Sequence, residues 1–163
     1  MEIVIEALKF ILPTYCANAL PVIFGGGHPI DFGRSFFDRK PIFGKNKTLK
    51  GFFAGLIGGT AIGLAESAIF PNYAVFFGFI LSLGALFGDL AGAFLKRRIG
   101  LSPGELLPVI DQVDFLIGAL LFAFFFSYPL YLELVILVMI LTPPVHLLTN
   151  FVAYKLGLKN NPW

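Results

Sequence analysis

Three carboxylates stand inside apolar sequence. Asp89 falls in the last two turns of one hydrophobic stretch, and Asp111 and Asp114 open the next, three residues apart. That spacing puts the pair on one helical face. An Asp at mid-span costs about 2.5–3.5 kcal/mol on insertion scales, so it persists where a cation, a metal or water compensates it. Helix capping can explain an Asp at a helix start, where the dipole favours an anion. It explains Asp89 poorly, because Asp89 lies near a C-terminal end. Lys96 follows Asp89 by seven residues on the same face, with Arg97 and Arg98 next. Carboxylates of this kind can hold Mg2+, which takes oxygen ligands and is commonly shared with substrate phosphates. Lys and Arg can carry the remaining phosphate charge. As a simpler alternative, Lys96, Arg97 and Arg98 anchor a helix at the headgroups. Together, the charges suit a phosphorylated substrate handled at the lipid–water boundary.

A second group of special residues lies upstream, in Gly25-Gly26-Gly27-His28-Pro29-Ile30-Asp31-Phe32-Gly33 and Gly44-Lys45-Asn46-Lys47-Thr48-Leu49-Lys50-Gly51. The latter is no P-loop: Asn46 stands where Gly is required, and a hydrophobic helix rather than a strand lies upstream. Gly44 and the amides before the next helix can still approach a phosphate, since a helix N-terminus favours an anion. His28 and His146 are single and far apart, and read as structural. Glu66 and Glu133 fall near outer turns and are expected to face water. Asn18 reads as an interhelical hydrogen-bonding residue or a cavity liner.

The elements that position these groups follow from composition. Hydrophobic residues make up 57% of the 163 and charged residues 13%. A soluble domain of this size could not cover so much apolar surface. Five stretches are long and apolar enough to span a bilayer: about 3–24, 51–70, 72–95, 109–127 and 130–154. The expected class is an all-α polytopic membrane protein of five transmembrane helices. It forms one membrane domain over 1–163, with loops at about 25–50 and 96–110. Eleven of the twelve Lys and Arg residues fall in those loops and the tail, and Lys9 alone lies toward the other side. The positive-inside rule then puts the charged loops and the C-terminus in the cytoplasm and the N-terminus outside. The net charge of +2 gives no argument for nucleic acid. Cys16 is the single cysteine, which excludes an intrachain disulfide and a Cys-based zinc site; it reads as a packing residue. The acidic N-terminal stretch is not expected to be a cleavable signal.

Glycines recur every four residues at 51, 55, 59 and 63, and again at 84, 88 and 92. Such stripes let helix backbones approach closely. Helices two and three are expected to contact each other or a neighbour through them. Pro143-Pro144 are expected to kink or break the fifth helix.

The run Gly88-Asp89-Leu90-Ala91-Gly92-Ala93-Phe94-Leu95-Lys96-Arg97-Arg98-Ile99-Gly100, followed by Pro103-Gly104, Pro108 and Asp111-Gln112-Val113-Asp114, resembles the archaeal CDP-archaeol synthases. The segment Gly44 to Gly51 is similar to that family's Gly-x-x-Lys-Thr-x-Arg/Lys-Gly. The likeness to bacterial CDP-diacylglycerol synthases is more distant, since this chain lacks their extra N-terminal spans and their His-Gly-Gly run.

The resemblance implies cytidylyl transfer from CTP to 2,3-di-O-geranylgeranyl-glyceryl phosphate in the cell membrane, with Mg2+ and an active site facing the cytoplasm. It implies that Asp89, Asp111 and Asp114 bind the metal, and that Lys96 and Arg97 hold phosphates. Gly44, Lys45, Lys47 and Thr48 contribute to nucleotide binding, while Asn18, Asp31 and Gln112 line the cavity. The partners are CTP, a lipid phosphate and the bilayer, with no protein partner expected. Lipid tails are expected in a lateral groove between helices. The alternatives are the same reaction on diacylglycerol phosphate, or a small ion transporter. The transporter is disfavoured because the acids gather at one face. The Asp motif of the membrane alcohol phosphotransferases is absent.

Overall fold

The computed structural model describes residues 2–159, 161 and 162. It contains five helices, α1 (Glu2–Phe24), α2 (Leu49–Ile69), α3 (Phe77–Arg98), α4 (Ile110–Phe125) and α5 (Leu132–Lys155), and no strand among the described residues. Four of them, α1, α2, α3 and α5, are long and apolar enough to cross a membrane. The protein is therefore polytopic. Helix α4 has 16 residues, about 24 Å at 1.5 Å per residue, and is shorter than the stretch expected from hydropathy. Helix α3 begins at Phe77, five residues later than expected, because 70–76 form turns at the α2–α3 corner.

Large side chains point outward on every helix, including Leu12, Ile57, Phe79, Leu121 and Ile140. Lipid is the solvent that tolerates such a surface. Phe10, Leu81, Phe115, Leu116, Leu134 and Val138 fill the centre of the bundle. The glycine stripes act at two separate seams. Gly55 and Gly59 meet the backbone of α1 at the carbonyls of Ala17 and Pro13, and Gly63 lies against Gly78 of α3. Gly84 and Gly88 face Gly118 and the Asp114 backbone of α4. The second seam matters for the site, because it draws the two Asp-bearing helices together.

Two expectations need correction. Of the kink or break expected in α5, the break does not occur: the helix runs continuously through Pro143 and Pro144. Thr142 Oγ1 donates to the Val138 carbonyl at 2.6 Å and accepts from Tyr15 Oη at 2.8 Å, which ties this turn to α1. Glu66 is 4% exposed, not facing water. It lies with Lys9, whose Nζ is 2.5 Å from Glu6 Oε1 and 5.3 Å from the centre of the Phe70 ring. Glu133 is exposed as expected.

Candidate active site

The loop from Gly25 to Thr48 is ordered by one buried carboxylate. Asp31 accepts hydrogen bonds from the amides of Gly33 at 3.0 Å, Phe43 at 2.9 Å and Gly44 at 2.9 Å. Burial alone would raise this carboxyl's pKa, but the amides of Gly44, Phe43 and Gly33 outweigh it and hold it below the ordinary value. Ile30 and Leu49 then bond across to Lys47 and His28 at 2.8 and 3.0 Å. This pairing presents Lys47 and Thr48 at the mouth of α2. Thr48 caps that helix by accepting from the Gly51 amide at 3.1 Å.

A cavity of about 870 Å³ opens at this end of the bundle. Asp89, Asp111, Asp114, Lys96, Arg97, Lys45, Lys47, Thr48 and Asn18 all line it. These residues come from α1, the first loop, α2's cap, α3 and α4, and the fold brings them to one place. Lys47 Nζ lies 2.6 Å from both oxygens of Asp89. Burial would pull the Lys47 ammonium pKa down, yet the Asp89 charge and hydrogen bond raise it above the usual lysine value. Lys96 Nζ lies 2.6 Å from Asp111 Oδ2, which also accepts from the Leu107 amide at 3.0 Å. Asp114 Oδ1 accepts only from the Phe115 amide, at 2.7 Å, among the bonds described. Gly92 leaves room for it, since a Cβ there would overlap the Asp114 carboxylate.

Arg97 is 4% exposed, and its Nη2 donates to the Ser102 carbonyl at 3.2 Å. Its Nε and Nη1 are buried and have no hydrogen-bond partner among the described residues. Buried donors left unmade cost about 1–3 kcal/mol, so an anion at this wall of the cavity would be favourable.

Three expected residues stand elsewhere. Asp31, Gly44 and Gln112 do not line the cavity. Asp31 is consumed by loop amides. Gly44 has φ +95°, and a Cβ there would press on the Pro103 ring and approach the Arg97 guanidinium. Gln112 is buried on α4. The three acids share a cavity, yet no group of three or more His, Cys, Asp or Glu stands ready to hold a metal among the described residues. Lysines occupy two of the carboxylates. The all-oxygen donor set suits a hard cation that takes one or two carboxylates and completes its shell with substrate phosphates and water. It does not suit a cage built wholly by the protein.

The far wall was not anticipated. His146, Asn150, Lys159 and Asn161 also line the cavity. His146 stacks on Phe115 with ring centres 5.7 Å apart, and Asn150 Nδ2 lies 3.2 Å from its Nδ1. Burial, then the nearby Lys47, pulls the Lys159 ammonium pKa below its ordinary value. His146 and Asn150 are four residues apart in an apolar run, so a polar face on α5 was available as a signal.

The fold and site define a class: a multi-span membrane enzyme with a polar, cation-rich cavity suited to polyanions at one end of the bundle. The model of the CarS-like CDP-archaeol synthase family matches residues 1–163. A CDP-archaeol synthase from Methanococcus aeolicus is 45% identical, over 99% of this chain and 97% of its own. One from Pyrococcus furiosus is 46% identical over the full length of both. A solved structure of an intramembrane enzyme for archaeal membrane lipids biosynthesis superposes with a TM-score of 0.84 at 35% identity, covering 90% of this chain and 93% of that one. The chain belongs to the CDP-archaeol synthase family, and is a cytidylyltransferase of archaeal lipid biosynthesis.

Proposed function

We propose that the enzyme transfers the cytidylyl group of CTP to 2,3-di-O-geranylgeranyl-glyceryl phosphate, giving CDP-unsaturated archaeol and pyrophosphate. The observation that carries this is the cavity's mixed lining, which combines the cations and carboxylates with apolar Val22 and Ile23 of α1, Val152 of α5 and Leu156 at its C-cap, against which a lipid can lie. A lipid phosphate oxygen attacks the α-phosphorus of CTP, and the bond to pyrophosphate breaks. The nucleophile is already anionic, so no strong general base is needed. The protein must instead hold two polyanions together against their repulsion.

Lys96 and Arg97 hold phosphates, and Arg97 gains partners for Nε and Nη1. Lys45, Lys47 and Thr48 hold the nucleotide, and Asn18 lines the cavity. Asp89, Asp111 and Asp114 are the residues that would hold Mg2+. Bound there, the ion would supply Lewis-acid stabilisation of the phosphoryl charge. Asp89 and Asp111 keep Lys47 and Lys96 oriented into the cavity before substrate arrives. Asp31 orders the nucleotide loop rather than touching substrate.

Helix α4 counts as a fifth span. The basic bias of the loops supports a single membrane domain in the cell membrane, with the N-terminus outside, the C-terminus and loops 25–50 and 96–110 in the cytoplasm, and the cavity facing the cytoplasm.

The test is a reconstitution with labelled CTP, Mg2+ and either the geranylgeranyl ether phosphate or diacylglycerol phosphate. Labelled lipid should form from the ether substrate and require Mg2+. Product from the ester alone would overturn the substrate assignment, and turnover in chelator would overturn the metal.

A further inference from the structure

The first loop carries a feature that the cavity does not use. Ser35 and Pro41 form an antiparallel bridge. Phe36 N donates to the Lys40 carbonyl at 2.8 Å, and Arg39 N to that of Phe36 at 3.0 Å. The result is a short hairpin with Phe36 and Phe37 at its turn. Phe37 is 96% exposed and Phe32, just before the hairpin, 67%.

The hairpin is clamped to the end of α3. Arg98 Nη1 lies 2.5 Å from Asp38 Oδ1, and Nη2 donates to the Pro41 carbonyl. Lys40 Nζ donates to the Arg98 carbonyl at 2.9 Å. The Arg98 guanidinium sits 5.0 Å from the centre of the Phe36 ring and 4.7 Å from that of Phe94, and the two rings meet edge-on at 5.2 Å. Phe94 is one turn inside α3, which is long and apolar enough to cross the membrane. The clamp therefore fixes the hairpin at the depth where α3 leaves the hydrocarbon.

An exposed aromatic ring is favourable at that depth, where aromatic side chains concentrate. The charge fits as well. Asp38 is taken up by Arg98, whereas Arg34 and Arg39 are exposed, so the hairpin's outward charge is positive. Basic residues near a bilayer surface are drawn to anionic lipids.

We propose that residues 32–41 form a membrane-interface anchor: Phe37 and Phe32 insert among the headgroups of the leaflet at this end of α3, and Arg34 and Arg39 sit on anionic lipid phosphates. The same loop delivers Lys45, Lys47 and Thr48 to the cavity. The anchor thus fixes those groups at the level of the bilayer's own phosphates. It depends on α3 spanning the membrane, not on the identity of the lipid substrate.

The experiment places a Trp at the tip with Phe37→Trp, in a chain whose single native Trp is removed by Trp163→Phe. The protein is reconstituted in phosphatidylcholine–phosphatidylglycerol vesicles with brominated acyl chains. Emission shifted to shorter wavelength and quenched by bromine is expected. The quenching should fall in pure phosphatidylcholine, and again when Arg34→Glu and Arg39→Glu are combined. A water-like, unquenched emission would overturn the anchor. A blue-shifted but unquenched emission, as a protein partner or second copy would give, would also overturn it. Quenching indifferent both to lipid charge and to the two Arg substitutions would remove the role assigned to anionic lipid. CTP turnover by the Trp variant, measured in parallel, separates this outcome from failure of the catalytic assignment.

Discussion

Both ends of the bundle bury charge, and they do so differently. At the corner near Phe70, Lys9 and Glu66 are buried and Glu6 is half-buried, beside Tyr73, Tyr128 and Phe77, whose rings meet edge-on. At the other end, Lys47–Asp89 and Lys96–Asp111 line a cavity of about 870 Å³. Each lysine and carboxylate there can exchange its partner for a ligand, because space adjoins it. Charges packed against neighbouring side chains serve position. Charges bordering a cavity are available for chemistry. The residue types alone do not distinguish the two cases.

The sharpest way to break this contrast is to remove one acid from each end. Asp89→Ala or Asp114→Ala should lower kcat by at least about a hundredfold, the scale of losing one transition-state electrostatic group, while the protein still purifies folded. Asp111→Ala should behave alike. Glu66→Gln should leave kcat close to the parent. Near-normal turnover by Asp89→Ala in the labelled CTP assay would refute the site.

Removing the cations should separate the ends next. Lys96→Ala is expected to slow turnover by about ten- to a hundredfold. Lys9→Met leaves Glu6 and Glu66 without their cation. It should cost about 1–3 kcal/mol of stability, seen as a lower unfolding midpoint in detergent with little change in kcat.

A smaller effect is expected from two glycines. Gly92→Ala drives a methyl into the Asp114 carboxylate, and Gly63→Ala drives one into the Gly78 backbone. Each overpacks by about 1–3 kcal/mol. The first should depress kcat beyond its effect on stability; the second should lower thermal stability alone. Equal effects on both readouts would erase the distinction.

The smallest effect is on pH dependence. Asp31 has its folded pKa lowered from 3.8, so its stabilising contribution is present above that value and is lost as pH falls through the lower folded one. Asp31→Asn should flatten the acid limb of the stability curve. The Lys47 pKa is raised above 10.5, so its contribution is present below that value and is lost as pH rises through the higher folded one. Lys47→Met should flatten the alkaline limb instead. Both are read from unfolding midpoints across pH.

Much of the cavity's acidic and basic lining was legible because charge in an apolar span is costly and therefore conspicuous. Asp89, Asp111, Asp114, Lys96 and Arg97 stood out on that ground, and the four-residue glycine spacing marked the seams. Asp31 was legible as a special residue but not as the acceptor of loop amides. A carboxylate that binds loop amides looks the same in sequence as one that binds substrate. His146 and Asn150 were visible as polar residues four apart in α5, yet only the packing of α5 against α4 sets His146 on Phe115 and brings both residues to the cavity.

Hydropathy, charge bias and motif spacing by themselves determined a membrane-embedded helical protein and the family it resembles, because bilayer thickness and the cost of buried charge act on the linear chain. Tertiary structure decided which carboxylates border open space, which lysine meets which acid, and that Glu66 is packed inside rather than wetted. Those outcomes depend on how helices distant in sequence approach one another, and that approach is set by close packing across the glycine seams.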